Sequence, residues 1–121
     1  MSFKVFIADD SDDLRNLLVR VFSRDSNFTV VGQANDSEST LEGVSATSPD
    51  LLLLDLSMPG IGGVNVIKKI RVNSAKPIIA VLSGLPSDSL QDSAINAGAN
   101  VYIEKGTPLK EIIAQVLHAL K

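Results

Sequence analysis

Residues 51–55 read Leu51-Leu52-Leu53-Leu54-Asp55, the most apolar stretch of the chain, and they end in a carboxylate. Four consecutive leucines lack the two-residue alternation of a strand with one wet face, so we predict a strand covered on both faces. A carboxylate at the end of such a strand is costly to bury unless it is paired or binds a metal ion. The simpler alternative is an aspartate that faces solvent or caps the next loop.

Strand and helix patterns alternate on both sides of this stretch. Short apolar runs predict the strands, and apolar residues spaced three and four apart predict the helices. Strict alternation of this kind is typical of an α/β fold with a five-stranded parallel sheet and helices on both faces. The predicted strands are 4–8, 29–34, 51–56, 77–82 and 101–103, each followed by one of five helices.

Three helix starts carry capping signals. Asn35 or Asp36 is predicted to cap the second helix, with Glu38 placed to close a capping box on Asn35. Ser87 is predicted to cap the fourth helix. Thr107, which is followed by a proline, is predicted to cap the fifth.

Composition excludes several classes of protein. The chain has 121 residues, which is the length of one domain, and its net charge of −3 argues against direct binding to nucleic acid. With no cysteine, it has no disulfide, thiolate metal site or catalytic thiol. No apolar run approaches the ~20 residues of a membrane span, and the N-terminus does not resemble a signal peptide. We therefore expect a cytoplasmic protein that does not bind a membrane.

Polar side chains stand where four of the predicted strands end. These residues are Asp9 and Asp10, Asp55, Ser83, and Lys105. Because the carboxyl ends of parallel strands share one edge of the sheet, we expect these groups to converge there. Adjacent carboxylates repel one another unless a proton or a cation intervenes, and Mg²⁺ suits an all-oxygen site.

Each of these residues also has a simpler interpretation. Asp9 or Asp10 could cap the first helix, Ser83 could serve the turn that precedes Gly84, and Lys105 could be solvated. Taken together, three carboxylates, a lysine and a hydroxyl suit phosphoryl transfer, with Asp55 as the nucleophile.

The chain resembles, from Lys4 to Leu120, the receiver domain of bacterial two-component response regulators. Four segments carry the resemblance, in order and on the matching elements. Residues 30–34 and the loop Lys-Gly-Thr-Pro at 105–108 are most similar to the NarL/FixJ type, which carries a C-terminal DNA-binding domain. The four segments are Ile-Ala-Asp-Asp at 7–10, Leu-Leu-Asp-Leu-Ser-Met-Pro-Gly at 53–60, Val-Leu-Ser-Gly at 81–84 and Tyr-Ile-Glu-Lys at 102–105.

The resemblance implies a flavodoxin-like (βα)5 doubly wound fold in which Asp55 accepts a phosphoryl group from a histidine kinase. It implies that Asp9, Asp10, Asp55 and the backbone carbonyl of Ser57 bind Mg²⁺. Lys105 would contact the phosphoryl group, and two residues would form the switch that responds to it. Those switch residues are Ser83 and Tyr102, although Tyr102 could equally be a half-buried strand aromatic.

The implied partners are a sensor histidine kinase or phosphotransfer protein and a downstream output domain or target, with a homodimer on phosphorylation. We expect one receiver domain over residues 1–121, no output domain in this chain, and a signalling switch and not an enzyme. One alternative is a Mg²⁺-dependent aspartate-nucleophile phosphatase, although Ser57 stands where such enzymes place a second acid. Another is a phosphorylation-independent interaction module. The chain departs from many receivers at Gly106, where they have proline, and at Gly62, where they often have aspartate.

Overall fold

A computed structural model of the chain describes residues 2–72, 74–84 and 88–121. In these ranges strands and helices alternate in the predicted order, so the α/β interpretation is confirmed. The strands are β1 (Phe3–Ala8), β2 (Phe28–Ala34), β3 (Leu51–Asp55), β4 (Ile78–Ser83) and β5 (Val101–Glu104). The helices are α1 (Asp12–Arg24), α2 (Ser37–Thr47), α3 (Gly63–Arg71), α4 (Asp88–Ala97) and α5 (Leu109–Leu120).

All strand pairs are parallel, and the order across the sheet is β2-β1-β3-β4-β5. The order reverses direction between β1 and β3, which is the arrangement of a doubly wound sheet with its ligand site at the carboxyl edge. β3 is the central strand, and all five of its residues are buried. The leucine run therefore occupies the position that its lack of alternation predicts.

Two apolar layers cover the sheet. Leu52 and Leu54 pack in the layer that includes α2, α3 and α4, whereas Leu51 and Leu53 pack with α1 and α5. Successive side chains of a strand point to opposite faces, so four leucines in a row supply both layers at once. In the described part of the chain, none of the helices combines the length and apolar character that a membrane crossing requires.

The ring of Phe6 packs against two glycines. A Cβ atom at Gly43 of α2 would lie 2.4 Å from Cε2 and from Cζ of this ring, and one at Gly32 of β2 would lie 2.6 Å from Cε2. Real Cβ atoms do not approach so closely, so both positions require glycine for the helix and the strand to seat against the ring.

The structure corrects two predicted helix caps. Of the two predicted caps of α2, Asp36 is confirmed, since its Oδ1 accepts from the amide of Ser39 at 2.7 Å, and the predicted capping box on Asn35 is wrong. The prediction that Thr107 caps α5 is also wrong, because the N-cap position falls on Pro108. The hydroxyl of Thr107 instead donates backwards to the carbonyl of Glu104 at 2.7 Å.

The start of α1 settles one of the open alternatives. Ser11 is its N-cap, and the Ser11 hydroxyl accepts from the amide of Leu14 at 3.3 Å. Neither Asp9 nor Asp10 is the N-cap of this helix, although Oδ1 of Asp9 accepts from the amide of Ser11 at 2.8 Å. The predicted α4 cap, Ser87, lies outside the described residues.

Candidate functional site

The carboxyl edge of the sheet brings three of the predicted residues into contact. Asp9 follows β1, Asp55 ends β3, and Lys105 follows β5. The Nζ atom of Lys105 lies 3.3 Å from Oδ1 of Asp55 and 3.5 Å from Oδ2 of Asp9. The amide of Lys105 donates to the carbonyl of Ser83 at 2.7 Å, which fixes the base of the lysine to the end of β4. The lysine therefore bridges the two buried carboxylates and is not simply solvated.

Asp9, Asp10 and Asp55 form an acidic cluster at this edge. Each offers one carboxylate oxygen, and these oxygens lie within 4.8 Å of one another. Asp9 and Asp55 are fully buried, whereas Asp10 is exposed. The Oδ2 atoms of Asp9 and Asp55 are buried without a hydrogen-bond partner. Burying a carboxylate oxygen without a hydrogen-bond partner lowers the stability of the folded state. The site therefore favours the binding of an additional positive group.

Ser57 holds the carboxylate of Asp55 in one orientation. The amide and the hydroxyl of Ser57 both donate to Oδ1 of Asp55, at 3.0 and 2.8 Å. Since Lys105 also lies against Oδ1, the three positive or donor groups gather on one oxygen. The other oxygen, Oδ2, is buried without a hydrogen-bond partner. The Ser57 side chain was not among the groups that the sequence predicted for the site.

The three carboxyl groups differ in their affinity for a proton. Burial raises the pKa of Asp9, although the amide of Ser11 and the ammonium of Lys105 lower it in part. A hydrogen bond with Asp55 raises the pKa of Asp10. Burial acts to raise the pKa of Asp55, but the donors of Ser57, Asp10 and Lys105 outweigh it and the pKa is lowered. Asp55 is therefore the member of the cluster that stays ionised most readily.

A magnesium ion fits the acidic cluster. Mg²⁺ prefers carboxylate and carbonyl oxygens at about 2.1 Å, so opposite ligands lie about 4.2 Å apart. The 4.8 Å spread of the three oxygens is close to this separation. The buried carboxylates of Asp9 and Asp55 would each supply one oxygen ligand, and exposed Asp10 opens the site toward water. Small hard cations keep several waters, which this exposed side accommodates.

Ser83 and Tyr102 flank the cluster on the side of β4 and β5. Ser83 is buried at the end of β4, in register with Glu104. Tyr102 is half-buried, is in register with Val81, and packs against the layer that contains α4. The serine is thus at the carboxyl edge, and the tyrosine lies on the same strand pair two registers away.

Arg15 supports the loop that carries the acidic cluster, and the sequence analysis missed it. Its guanidinium donates to the carbonyl of Asp9 at 2.9 Å, to Oε1 of Gln33 at 2.9 Å, and to Oδ1 of Asp12 at 2.6 Å. The three-residue spacing between Asp12 and Arg15 signals a helical ion pair, but nothing in the sequence indicates the bond to Asp9.

A second missed contact fixes the loop after β3. The amide and the hydroxyl of Ser37, at the start of α2, both donate to the carbonyl of Pro59 at 3.1 Å. A Cβ at Gly60 would lie 2.8 Å from Cβ of Ser37, so the loop passes very close to the helix. The two partners are 22 residues apart, and no local pattern links them.

We expect the variant Asp9→Asn to be more stable than the wild-type chain at neutral pH without divalent cations. Folding raises the pKa of the Asp9 carboxyl group, so the folded state favours its protonated form. The stability that this protonated form contributes is lost as the pH rises through the raised pKa. The neutral amide avoids this loss and should raise the free energy of unfolding by about 1 kcal/mol. Thermal unfolding with a chelator present measures the difference.

The same measurement at lower pH provides the control for this prediction. As the pH falls toward the ordinary aspartate pKa, Asp9 becomes protonated in the wild-type chain and the advantage of the variant should shrink. An Asp9→Asn variant that is less stable at neutral pH would show that the attraction of Lys105 exceeds the cost of burial.

Comparisons with known proteins agree on one family. Residues 5–117 match the response regulator receiver domain family. A protein-glutamate methylesterase/protein-glutamine glutaminase of Myxococcus xanthus is 38% identical over 107 residues, which are 88% of this chain and 31% of that protein. The nitrate/nitrite response regulator NarL of Escherichia coli is 32% identical over 114 residues, which are 94% of this chain and 52% of NarL.

A solved structure shares both the fold and the sequence. The signal receiver domain of the response regulator NarL from Mycobacterium tuberculosis superposes with a TM-score of 0.93 at 30% identity. The similarity covers 98% of this chain and 96% of that domain. The chain spans about half or less of the two curated relatives, and it matches them through the region that all of these proteins have in common.

Proposed function

The chain belongs to the response regulator receiver domains of two-component signalling, and from this premise we propose that Asp55 is its phosphoacceptor. One observation carries the proposal: Oδ2 of Asp55 is buried without a hydrogen-bond partner, while Ser57 and Lys105 hold the other oxygen. An ionised carboxylate with one bare oxygen beside a fixed ammonium is a competent nucleophile toward a phosphorus atom.

In the proposed reaction, Oδ2 of Asp55 attacks the phosphorus of a phosphohistidine. The new bond joins this oxygen to phosphorus, the phosphorus–nitrogen bond breaks, and its electron pair stays on the imidazole of the donor. The product is an acyl phosphate on the receiver. Lys105 would neutralise a phosphoryl oxygen as a point charge, and the hydroxyl of Ser83 would donate to another. Tyr102 would follow Ser83 as the second switch residue.

Asp9, Asp10, Asp55 and the backbone carbonyl of Ser57 are the proposed ligands of Mg²⁺. When bound, the ion supplies positive charge to the phosphoryl oxygens as they approach the carboxylates. The support for this assignment is the fit of the acidic cluster to an oxygen-liganded cation. Arg15 and Ser37 would act as positioning residues, since each holds a backbone carbonyl of a loop that bears proposed ligands.

We propose that the domain is a signalling switch that acts only on its own phosphoryl group, and not an enzyme with a separate substrate. The proposed donor is a sensor histidine kinase or a phosphotransfer protein of the cytoplasm. Phosphorylation would bias a two-state equilibrium of the domain and change the surface offered to an output domain, a target protein or a second copy. The resemblance of residues 30–34 and 105–108 to the NarL/FixJ type makes a DNA-binding output domain the leading candidate.

Acetyl phosphate with Mg²⁺ tests the proposed function directly. Intact-mass spectrometry should show the gain of one phosphoryl group per chain, and a chelator should prevent it. Steady turnover of p-nitrophenyl phosphate would instead indicate an aspartate-nucleophile phosphatase. If Mg²⁺ left the backbone amide signals of Asp9, Asp10 and Asp55 unchanged, the chain would be a phosphorylation-independent interaction module.

We expect Arg15→Lys to weaken Mg²⁺ binding about tenfold, because groups that orient metal ligands typically contribute this much. Lysine keeps the positive charge but cannot make the three hydrogen bonds that the planar guanidinium donates to Asp9, Gln33 and Asp12. Calorimetric titration measures the affinity. Arg20→Lys, at an exposed position of the same helix, is the matched control and should bind Mg²⁺ like the wild-type chain. Equal affinities of the two variants would remove Arg15 from the positioning residues.

A further inference from the structure

A second cleft opens at the opposite edge of the sheet, where β1, β3 and β4 begin. It has a volume of about 540 Å³ and lies between α2 and α3. Ligand pockets for small organic molecules typically have about 300–1,000 Å³. The strand Leu51–Asp55 separates this basal cleft from the acidic cluster, a distance of about 16 Å at ~3.3 Å per residue. The two sites therefore do not overlap.

The basal cleft is positively charged. Lys4, Lys69 and Lys76 line it, and all three are exposed. Within the ranges that the structure describes, none of them has a carboxylate in ion-pair contact. The lining includes one acid, Asp50, whose Oδ2 already accepts from the backbone amide of Lys4 at 2.8 Å. Three lysines less one aspartate leave a net charge of +2 at the cleft.

The floor of the basal cleft is apolar. Leu41 and Val44 of α2 and Ile70 of α3 line it, and they belong to the layer of core residues on this face of the sheet. Pro49 and Pro77 add further apolar surface to the lining. A cleft with an apolar floor and a cationic rim is complementary to a molecule with an apolar body and an anionic head.

We propose that the basal cleft binds an amphiphilic organic anion, with one phosphate or carboxylate head group and a short apolar body. The head would lie among Lys4, Lys69 and Lys76, and the body would cover Leu41 and Ile70. Inorganic anions would lack the apolar contact, and neutral amphiphiles would leave the lysines without a partner. This site does not depend on the proposed phosphoacceptor role of Asp55.

Octyl phosphate, below its micelle concentration, is the probe that tests the proposal. In ¹H–¹⁵N spectra it should shift the amides of Val44, Ser45 and Ile70 in a saturable manner. Inorganic phosphate and octyl glucoside, which present the head and the chain separately, should each bind at least about tenfold more weakly.

Two variants of α3 provide a matched pair. Lys69→Gln should weaken octyl phosphate binding several-fold, whereas Lys68→Gln, which removes an exposed lysine outside the cleft, should not. Ser45→Glu, at an exposed position of the lining, should repel the probe without disturbing the core. Thermal unfolding verifies that each variant is folded.

Four results would overturn the proposal. Octyl glucoside binding as tightly as octyl phosphate would remove the role of the lysines, and inorganic phosphate binding as tightly would mean an adventitious ion only. Equal losses in Lys69→Gln and Lys68→Gln would indicate a general basic surface. The last test uses phosphatidylglycerol vesicles. If the protein co-sedimented with them but did not bind octyl phosphate, the cleft would bind a lipid surface and not a discrete ligand.

Discussion

The variant Asp55→Asn is expected to take up no phosphoryl group from acetyl phosphate in the presence of Mg²⁺. An amide oxygen is a very poor nucleophile, and an amide cannot form the acyl phosphate that a carboxylate forms. The variant should still fold, because its side-chain oxygen can accept from the amide and hydroxyl of Ser57 as the carboxylate does. The measurement is the mass of the intact chain after incubation, with peptide mapping of any adduct.

Asp13→Asn is the matched control for this prediction. It removes the same charge from an exposed position in the first turn of α1, a few residues from the acidic cluster. We expect it to gain one phosphoryl group per chain, like the wild-type protein. If Asp55→Asn acquired a phosphoryl group at full stoichiometry and at the wild-type rate, the nucleophile would have to be another residue.

The variant Gly43→Ala is expected to lose about 2 kcal/mol of folding free energy, the largest stability change that we predict. Its Cβ would lie 2.4 Å from two atoms of the Phe6 ring. Phe6 is buried in the core layer on this face of the sheet, so its ring can move only by displacing other core side chains. Overpacking of a core costs about 1–3 kcal/mol, and two contacts of 2.4 Å place this site at the upper end of that range. The gain of about 1 kcal/mol from replacing a helical glycine with alanine then leaves a net loss of about 2 kcal/mol. Denaturant unfolding measures the difference.

A double-mutant cycle separates the clash from a general weakness of α2. Phe6→Leu creates space, so Gly43→Ala should cost less in that background, with a coupling energy of about 1 kcal/mol. Glu42→Ala, at an exposed neighbouring position, should change stability by less than about 0.5 kcal/mol. Gly43→Ala as stable as the wild type would mean that α2 can shift away from the sheet.

The order of the elements could be predicted because burial leaves a strong pattern in the sequence. The run Leu51–Leu54 can occupy only a strand that is covered on both faces, and β3 is that strand. Helix ends were less predictable, since a capping hydroxyl has several backbone partners within reach. Thr107 shows this: its hydroxyl donates to the carbonyl of Glu104, and the first turn of α5 has no side-chain cap.

The location of the candidate site followed from topology, but its supporting contacts did not. Parallel strands deliver Asp9, Asp55 and Lys105 to one edge whatever the loops do. The contacts of Arg15 with Asp9 and of Ser37 with Pro59 depend on how the loops approach the helices. Such contacts between backbone carbonyls and side chains leave no periodic signal. They become visible only when the distances are known.

The burial of β3 has a consequence for how the domain responds to chemistry at Asp55. A central strand with all five residues buried and neighbours on both sides should exchange its amide hydrogens only when the whole domain unfolds. The carboxylate is therefore attached to the part of the molecule with the slowest fluctuations. A phosphoryl group on Asp55 would not displace β3. The contacts that it forms would therefore change the conformation of the surrounding loops. The fold thus combines a rigid central strand with more mobile loops around it. A conformational response to phosphorylation would take place in these loops.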